Sequence, residues 1–378
     1  MNATRTLRSD WKTHLALACF LGAVGAAAWQ LPKPEHPVLA MPASGAHDLP
    51  PLMLTSAPAD ASDTARQPSL AELPDGRIAM AWMAGPDKHP ERDAIWFSRL
   101  GRQGWDAPRA IANLESAAGD SFAHIRRVDR PMLQADARGL SLYFLSGGLG
   151  MAPVNLLNRQ FSADGGEQWK RARWLQSSAA GIGRIDLASP PLPLTDGGQL
   201  LMLGNAQPGG STSWLRLDAR GRIIDKLRLP GTSAGTAPVA AALGPTRLWA
   251  IVPQPDAEPP QLMQSDDGGL HWQVTQKSLP ALAARQSPAL LRLHDGRLLL
   301  AGNPASGPGQ LNLWLGDPEA ERWTLVKTLE SAPDGAASFI DPSLLQGRDG
   351  RLHLAYAARG RQIRYLTFSL AWLTGGTQ

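Results

Sequence analysis

Short apolar runs broken by polar turns dominate this chain, with no long helical stripe after the first thirty residues. The recurring unit is a proline, a brief apolar segment, a turn, and a second apolar segment of alternating character. It reads Pro68-Ser-Leu-Ala-Glu-Leu-Pro-Asp-Gly76 and then Arg77 to Trp82; the next copy is Pro131 to Gly139 and then Leu140 to Leu145. Further copies begin at Pro191, Pro238, Pro288 and Pro342, each ending in a turn glycine at Gly197, Gly244, Gly296 and Gly350. Successive prolines stand 63, 60, 47, 50 and 54 residues apart. Six copies of a unit of that length predict a repeat architecture, and the short alternating runs predict strands.

A second motif interleaves with the first. Ser162-Ala-Asp-Gly-Gly-Glu-Gln-Trp169 and Ser265-Asp-Asp-Gly-Gly-Leu-His-Trp272 both fit Ser-x-Asp-x-Gly-x-x-Trp, with degenerate copies at Ser98 to Trp105 and Gly316 to Trp323. A unit without the motif falls near Leu217-Asp-Ala-Arg-Gly-Arg222. The Ser and Asp side chains can bond turn amides, the glycines permit positive φ, and the Trp can pack on a sheet face. Each unit therefore supplies about four antiparallel strands. Six such sheets packed radially bury faces and protect edges, so the expected fold is an all-β, six-bladed propeller over residues 65–373. An open two-sheet sandwich is the alternative.

The first segment differs. Arg5, Arg8 and Lys12 precede an apolar run from Leu15 to Trp29, with Ala26 and Ala28 giving a small-x-small pattern. Residues 1–28 read as a signal peptide or an N-terminal apolar helix acting as membrane anchor, with a tether through 13–29. Cys19, in the middle of that run, makes lipidation a lesser alternative. Residues 29–64, carrying Pro32, Pro34, Pro37, Pro42, Pro50, Pro51 and Pro58, read as a Pro-rich linker. The expected location is periplasmic or secreted, with inner-membrane anchoring if the signal is not cleaved.

Composition adds constraints. The chain has 378 residues, 43% of them hydrophobic, with 38 Gly and 32 Pro, a pattern that suits many turns and an ample core. A net charge of +4 without a Lys/Arg block gives no electrostatic footprint for nucleic acid. Cleavage after Ala28 would leave no cysteine, and His spacing suggests no transition-metal site; no cofactor is expected.

The two intact Asp-boxes, Ser69 to Gly76, Ile95-Trp-Phe-Ser98, Pro191-Leu-Pro-Leu194 and Phe368 to Leu373 together resemble the bacterial sialidase superfamily, most closely its BNR-repeat sialidase-like proteins. The resemblance implies a propeller of the sialidase type. It also implies an exo-α-sialidase-related glycosidase: three arginines grip a substrate carboxylate, a Tyr–Glu pair is the nucleophile, and an Asp is the acid/base. Planar guanidinium forks match a carboxylate in two bonds, and an oxocarbenium-like transition state gains from a nearby anion.

Arg66-Gln-Pro68 stands where the family carries Arg-Ile-Pro. Inner strands begin at the central pocket, so Arg66, Arg130, Arg285 and Asp341, just ahead of repeat prolines, are the candidate site residues. Arg127, with His124 and Arg126 beside it, is expected at the same mouth. The loop Asp87 to Asp93 supplies the expected acid, Asp93 first and Glu91 second. Asp341 occupies the place of the family's tyrosine, and Tyr143, Tyr356 and Tyr365 all fall elsewhere. Two functions stay open: a glycosidase for an anionic sugar, with Asp341 as nucleophile or base, and a non-catalytic propeller binding glycan or protein.

Overall fold

The computed structural model describes residues 14–22, 36–42, 49–58, 62–121, 125–148, 155–176, 185–205, 212–229, 237–254, 259–284, 286–332 and 339–375. The chain divides into two units, residues 1–36 and 37–378. In the first, residues 14–22 form a helix, α1, with Leu15, Leu17, Phe20 and Leu21 exposed. No helix among the described residues is long and apolar enough to cross a membrane.

The second unit is a six-bladed propeller. Blade I holds β2 (Thr64–Glu72), β3 (Ile78–Gly85), β4 (Ala94–Gly101) and β5 (Gly104–Trp105), with β6 (Arg109–Ala112) also on β4. Blade II runs β7 (Ile125–Asp136), β8 (Gly139–Gly148), β9 (Asn155–Ser162) and β10 (Arg173–Leu175). In blade III, β11 (Ile185–Asp186) and β12 (Leu192–Pro193) both pair with β13 (Gln199–Asn205), followed by β14 (Ser213–Leu217) and β15 (Ile223–Arg228). Blade IV is β16 (Val239–Ala242), β17 (Leu248–Val252), β18 (Gln261–Ser265) and β19 (Gln273–Val274). Blade V is β20 (Ala289–Arg292), β21 (Leu298–Gly302), β22 (Gln310–Gly316) and β23 (Trp323–Ser331). Blade VI combines β24 (Phe339–Gln346), β25 (Leu352–Ala358) and β26 (Gln362–Phe368) with β1 (Met53–Ser56) from the other end of the chain.

Six apolar cores lie between the blades, one for each adjacent pair. The one joining blades VI and I contains Ala355 and Tyr365 from β25 and β26, with Met80 and Trp82 from β3. Because each second strand is covered on both faces, β3 is buried at every position instead of alternating in and out. The short helix α2 (Leu114–Ser121) links blades I and II, and α3 (Leu370–Thr374) follows β26, capped by the Ser369 hydroxyl on the Trp372 amide.

The Asp-box turns fold as their sequence predicts. Ser162 Oγ accepts from the Gly166 amide at 2.7 Å, Asp164 accepts from Gln168, and Gly165 and Gly166 have φ of 67° and 94°. Trp169 meets Phe97 of the neighbouring blade edge-on at 5.5 Å, and Trp272 stacks on Trp214 at 5.7 Å. At Leu217–Arg222 the Asp218 carboxylate accepts from the amides of Arg220 and Arg222, beside the backbone bonds that close the turn.

The expected spacer proves partly structural, and the folded unit starts earlier than residue 65. Leu39 is buried and bridges Leu194, and its amide donates to the Pro245 carbonyl. Residues 53–56 close blade VI in register Met53↔Phe368 to Ser56↔Tyr365. The Pro-rich composition hid both stretches, since each is only a few residues long between prolines.

Candidate functional site

Inner strands run from one face of the ring, here the upper, to the lower face that carries the 1–2 turns and the Asp-boxes. Three of the six inner strands break their ladder just after the upper rim: β2 between Arg66 and Ser69, β7 between Asp129 and Met132, and β24 between Ile340 and Ser343. At each break one non-glycine residue precedes the repeat proline with positive φ: Gln67 at 54°, Arg130 at 54° and Asp341 at 53°. A left-handed residue there is strained and persists only where surrounding contacts fix it. Blades II, I and VI are neighbours, so these three residues converge at one side of the axial mouth.

Their contacts bind them together. Gln67 Oε1 accepts from the Arg130 amide at 3.2 Å, and the Gln67 amide donates to the Asp341 carboxylate. Arg130 Nε lies 2.9 Å from Asp186 Oδ1, and its NH1 is 3.8 Å from Asp341 Oδ1. Asp186 in turn accepts from the Leu187 and Ala237 amides, and Asp129 accepts from the Arg130 amide. Burial alone would lower the Arg130 guanidinium, but Asp186, Asp341 and Asp129 outweigh it and raise it. Burial pushes the Asp341 carboxyl up, Arg130 and the Gln67 amide oppose this, Asp129 and Asp186 reinforce it, and the net direction is upward.

The structure therefore groups only some of the residues expected at the site. Arg130 and Asp341 meet at the axis. Arg66 instead points to Asp93, with NH2 to Oδ2 at 2.7 Å, because its slot in the strand is one residue earlier than those of Arg130 and Asp341. Asp93 is 5% exposed; its second oxygen, Oδ1, lies over Gly85 without a hydrogen-bond partner among the described residues. Arg127 is exposed and donates to Asn155 Oδ1 at 2.7 Å, and Asn155 donates in turn to the Ile185 carbonyl beside Asp186. Glu91 sits exposed in the 3-10 turn Pro90–Arg92, held below the usual carboxylate range by its own backbone amide and by His89. Arg285 and His124 lie outside the described residues.

Two features revise the sequence-based picture. Each described arginine of that set is matched by a carboxylate or an amide oxygen, except Arg126, which is exposed, and among the described residues Arg130 meets carboxylates on two sides. The tyrosines are all in the blade cores: Tyr143 donates to Gln199, Tyr365 contacts His353, and Tyr356 donates to Glu330. Glu330 also pairs with Arg364, so a Tyr–Glu–Arg set exists between blades V and VI, with Tyr356 only 2% exposed. Sequence reasoning missed Gln67, Asp129 and Asp186. Gln67 fills the same pre-proline slot as Arg130 and Asp341 but is neutral, and Asp186 precedes its repeat proline by five residues.

A family model described as a BNR repeat-like domain matches residues 76–354. No curated protein matches the chain. Among solved structures, a Dyadobacter fermentans protein of unknown function is 15% identical, with a TM-score of 0.63 over 84% of this chain and 99% of its own. The intramolecular trans-sialidase of Ruminococcus gnavus is 12% identical, with a TM-score of 0.63 over 85% of this chain and 98% of its own. The α-L-arabinanase of Penicillium chrysogenum, complexed with arabinobiose, is 13% identical, with a TM-score of 0.61 over 87% of this chain and 99% of its own. At these identities the likeness is one of fold: a propeller of the kind found in glycoside hydrolases.

Proposed function

The chain belongs to the BNR repeat-like domain family, and on that footing we propose that it hydrolyses an uncharged glycoside at the upper axial mouth. The observation that carries this reading is a half-buried guanidinium at the mouth, Arg130, with carboxylates on two sides in unequal environments. Asp186 is ion-paired at 2.9 Å, and Asp341, at 3.8 Å, is pushed upward by burial. Two carboxyl groups whose environments differ are what acid/base cleavage of a glycosidic bond requires.

In this reading Asp341 gives its proton to the leaving oxygen as the anomeric carbon–oxygen bond breaks. Asp186 takes a proton from the water whose oxygen bonds to that carbon. Arg130 steadies both carboxyls and stays cationic throughout, neither giving nor taking a proton. Gln67 is a positioning residue, fixing the Arg130 backbone and the Asp341 carboxylate. The carboxylates that face Arg130 among the described residues favour a neutral sugar over a sugar acid, a choice in line with the arabinobiose-bound arabinanase and not with the trans-sialidase among the structural neighbours. Asp93, expected as the acid, is better cast as the anchor of Arg66.

The test is a panel of 4-nitrophenyl glycosides, uncharged and sialylated, with Asp341→Asn and Asp93→Asn. Turnover of an uncharged member that falls about 100-fold or more in Asp341→Asn supports the reading. Loss only in Asp93→Asn moves the acid to Asp93, and turnover of the sialoside alone overturns the substrate class. A second reading, a glycan-binding propeller without turnover, is favoured by the burial of all three tyrosines. Export through residues 1–28 and a tether through 13–29 belong to the same proposal. Fractionation of the expressing cell, with N-terminal sequencing of the mature chain, checks both.

A further inference from the structure

Below the ring formed by Gln67, Arg130 and Asp341, the axis holds a cavity of about 340 Å³ lined by all six inner strands. Leu70, Met132, Val239, Leu290 and Leu344 border its middle with the edges of side chains that pack mainly in the interblade cores, and Met41 lies beneath. The lower end is crossed by residues 40–42. Ala40 donates to the Pro193 carbonyl at 2.8 Å, and Leu39 is bonded to Pro245 one blade further.

Polar side chains near that end are engaged at the turns below. Glu72 pairs with Arg348 at 3.2 Å, Gln346 accepts from the His294 amide and donates to Gly350, and Gln134 donates to the Ala135 carbonyl. The Arg292 head lies against Gly296 in its own turn. Among the described lining residues there is no Trp, Tyr or Phe on which a sugar ring could stack.

We propose that this cavity is an apolar well receiving a straight alkyl aglycone while the sugar stays at the carboxylate ring. The inference rests on the glycoside reading for the position of the sugar, but the well itself does not depend on turnover. Apolar cavities of roughly 150 Å³ already hold benzene, so this one has room for a longer chain. At ~3.3 Å per residue, Pro68 to Glu72 spans roughly 13 Å, enough for about eight carbons. A chain entering from above would exchange channel water for methylene contacts along the inner strands.

The experiment is calorimetric titration of the full chain with methyl, butyl, hexyl and octyl β-D-glucopyranosides below their micelle concentrations, and with hexan-1-ol and octan-1-ol alone. Affinity should rise roughly three- to four-fold per methylene, with the same increments for the bare alcohols. Ala40→Leu and, separately, Ser287→Phe, at half-buried lining positions outside the interblade cores, narrow the well and should flatten the series while each keeps a cooperative melting transition. Equal affinity for methyl and octyl glucosides, or a rise that persists undiminished in every folded variant, overturns the proposal. Chain-length increments without hydrolysis of any glycoside would leave the well standing and remove only the hydrolase reading.

Discussion

The two halves of the axial mouth are built from the same repeat and behave differently. In blades VI, I and II the pre-proline residue is left-handed, the ladder slips, and Asp341, Gln67 and Arg130 lean on one another. In blades IV and V, β16 and β20 pair in unbroken register, and Ala237 and Ser287 fill the corresponding slots. The repeat therefore fixes where a strand begins, but not what it does at its first residues. Strained backbone collects where side chains hold one another, which is where a functional site is expected.

Truncating the central ion separates the halves most sharply. Arg130→Ala removes the only cation between Asp186 and Asp341 among the described residues, leaves them to backbone amides alone, and should cost about 3 kcal/mol by urea denaturation. Ser287→Ala, on the plain half, should change stability by less than about 0.5 kcal/mol. Similar losses in the two variants would erase the distinction.

Titration probes the charged half from behind. The core joining blades VI and I buries His353 against Tyr365, and burial pulls the imidazole down to about 4 from 6.5. A base depressed in the folded state contributes stability that is complete above pH 6.5 and is lost as pH falls toward 4. The loss should be ~3 kcal/mol across that window. His353→Gln should remove this part of the slope; an unchanged acid limb in that variant would mean the histidine is not its source.

The sequence carried the ring well and the site only in part. Prolines, turn glycines and Asp-boxes each have a local physical meaning, so six blades could be counted from them. Pairing β1 with β26 depends on contacts between distant ends, which no local pattern encodes. The site was read through charge: Arg66 and Arg130 seemed equivalent, yet Gln67 shares the slot of Arg130, and one residue of register turns Arg66 onto Asp93. Loose cations were expected, but low dielectric favours pairing, and Asp93 and Asp186 supply partners for Arg66 and Arg130.

Smaller effects sharpen the contrast. At the end of β3, a Cβ on Gly85 would stand 2.1 Å from Asp93 Oδ1, whereas one on Gly302, at the matching end of β21, meets only side-chain carbons at 3.3 Å. Gly85→Ala should cost about 1–3 kcal/mol and free Arg66, and Gly302→Ala about 1 kcal/mol or less, measured by thermal melts. Last, Ser265→Ala in the blade IV Asp-box removes the acceptor of the Gly269 amide and should cost about 1 kcal/mol, with alkyl glucoside binding unaltered.

Closure of blade VI by β1 sets the order of assembly. Leu52 donates to the Ser369 hydroxyl across 317 positions of chain, so the strand made first must wait for the strands made last. During synthesis five blades can stack while Met53 and Leu54 remain without their ladder, and the ring locks only when β26 emerges. Clipping either terminus should therefore produce an open arc prone to joining another arc, and refolding of the intact chain should be slow relative to a helical protein of equal size.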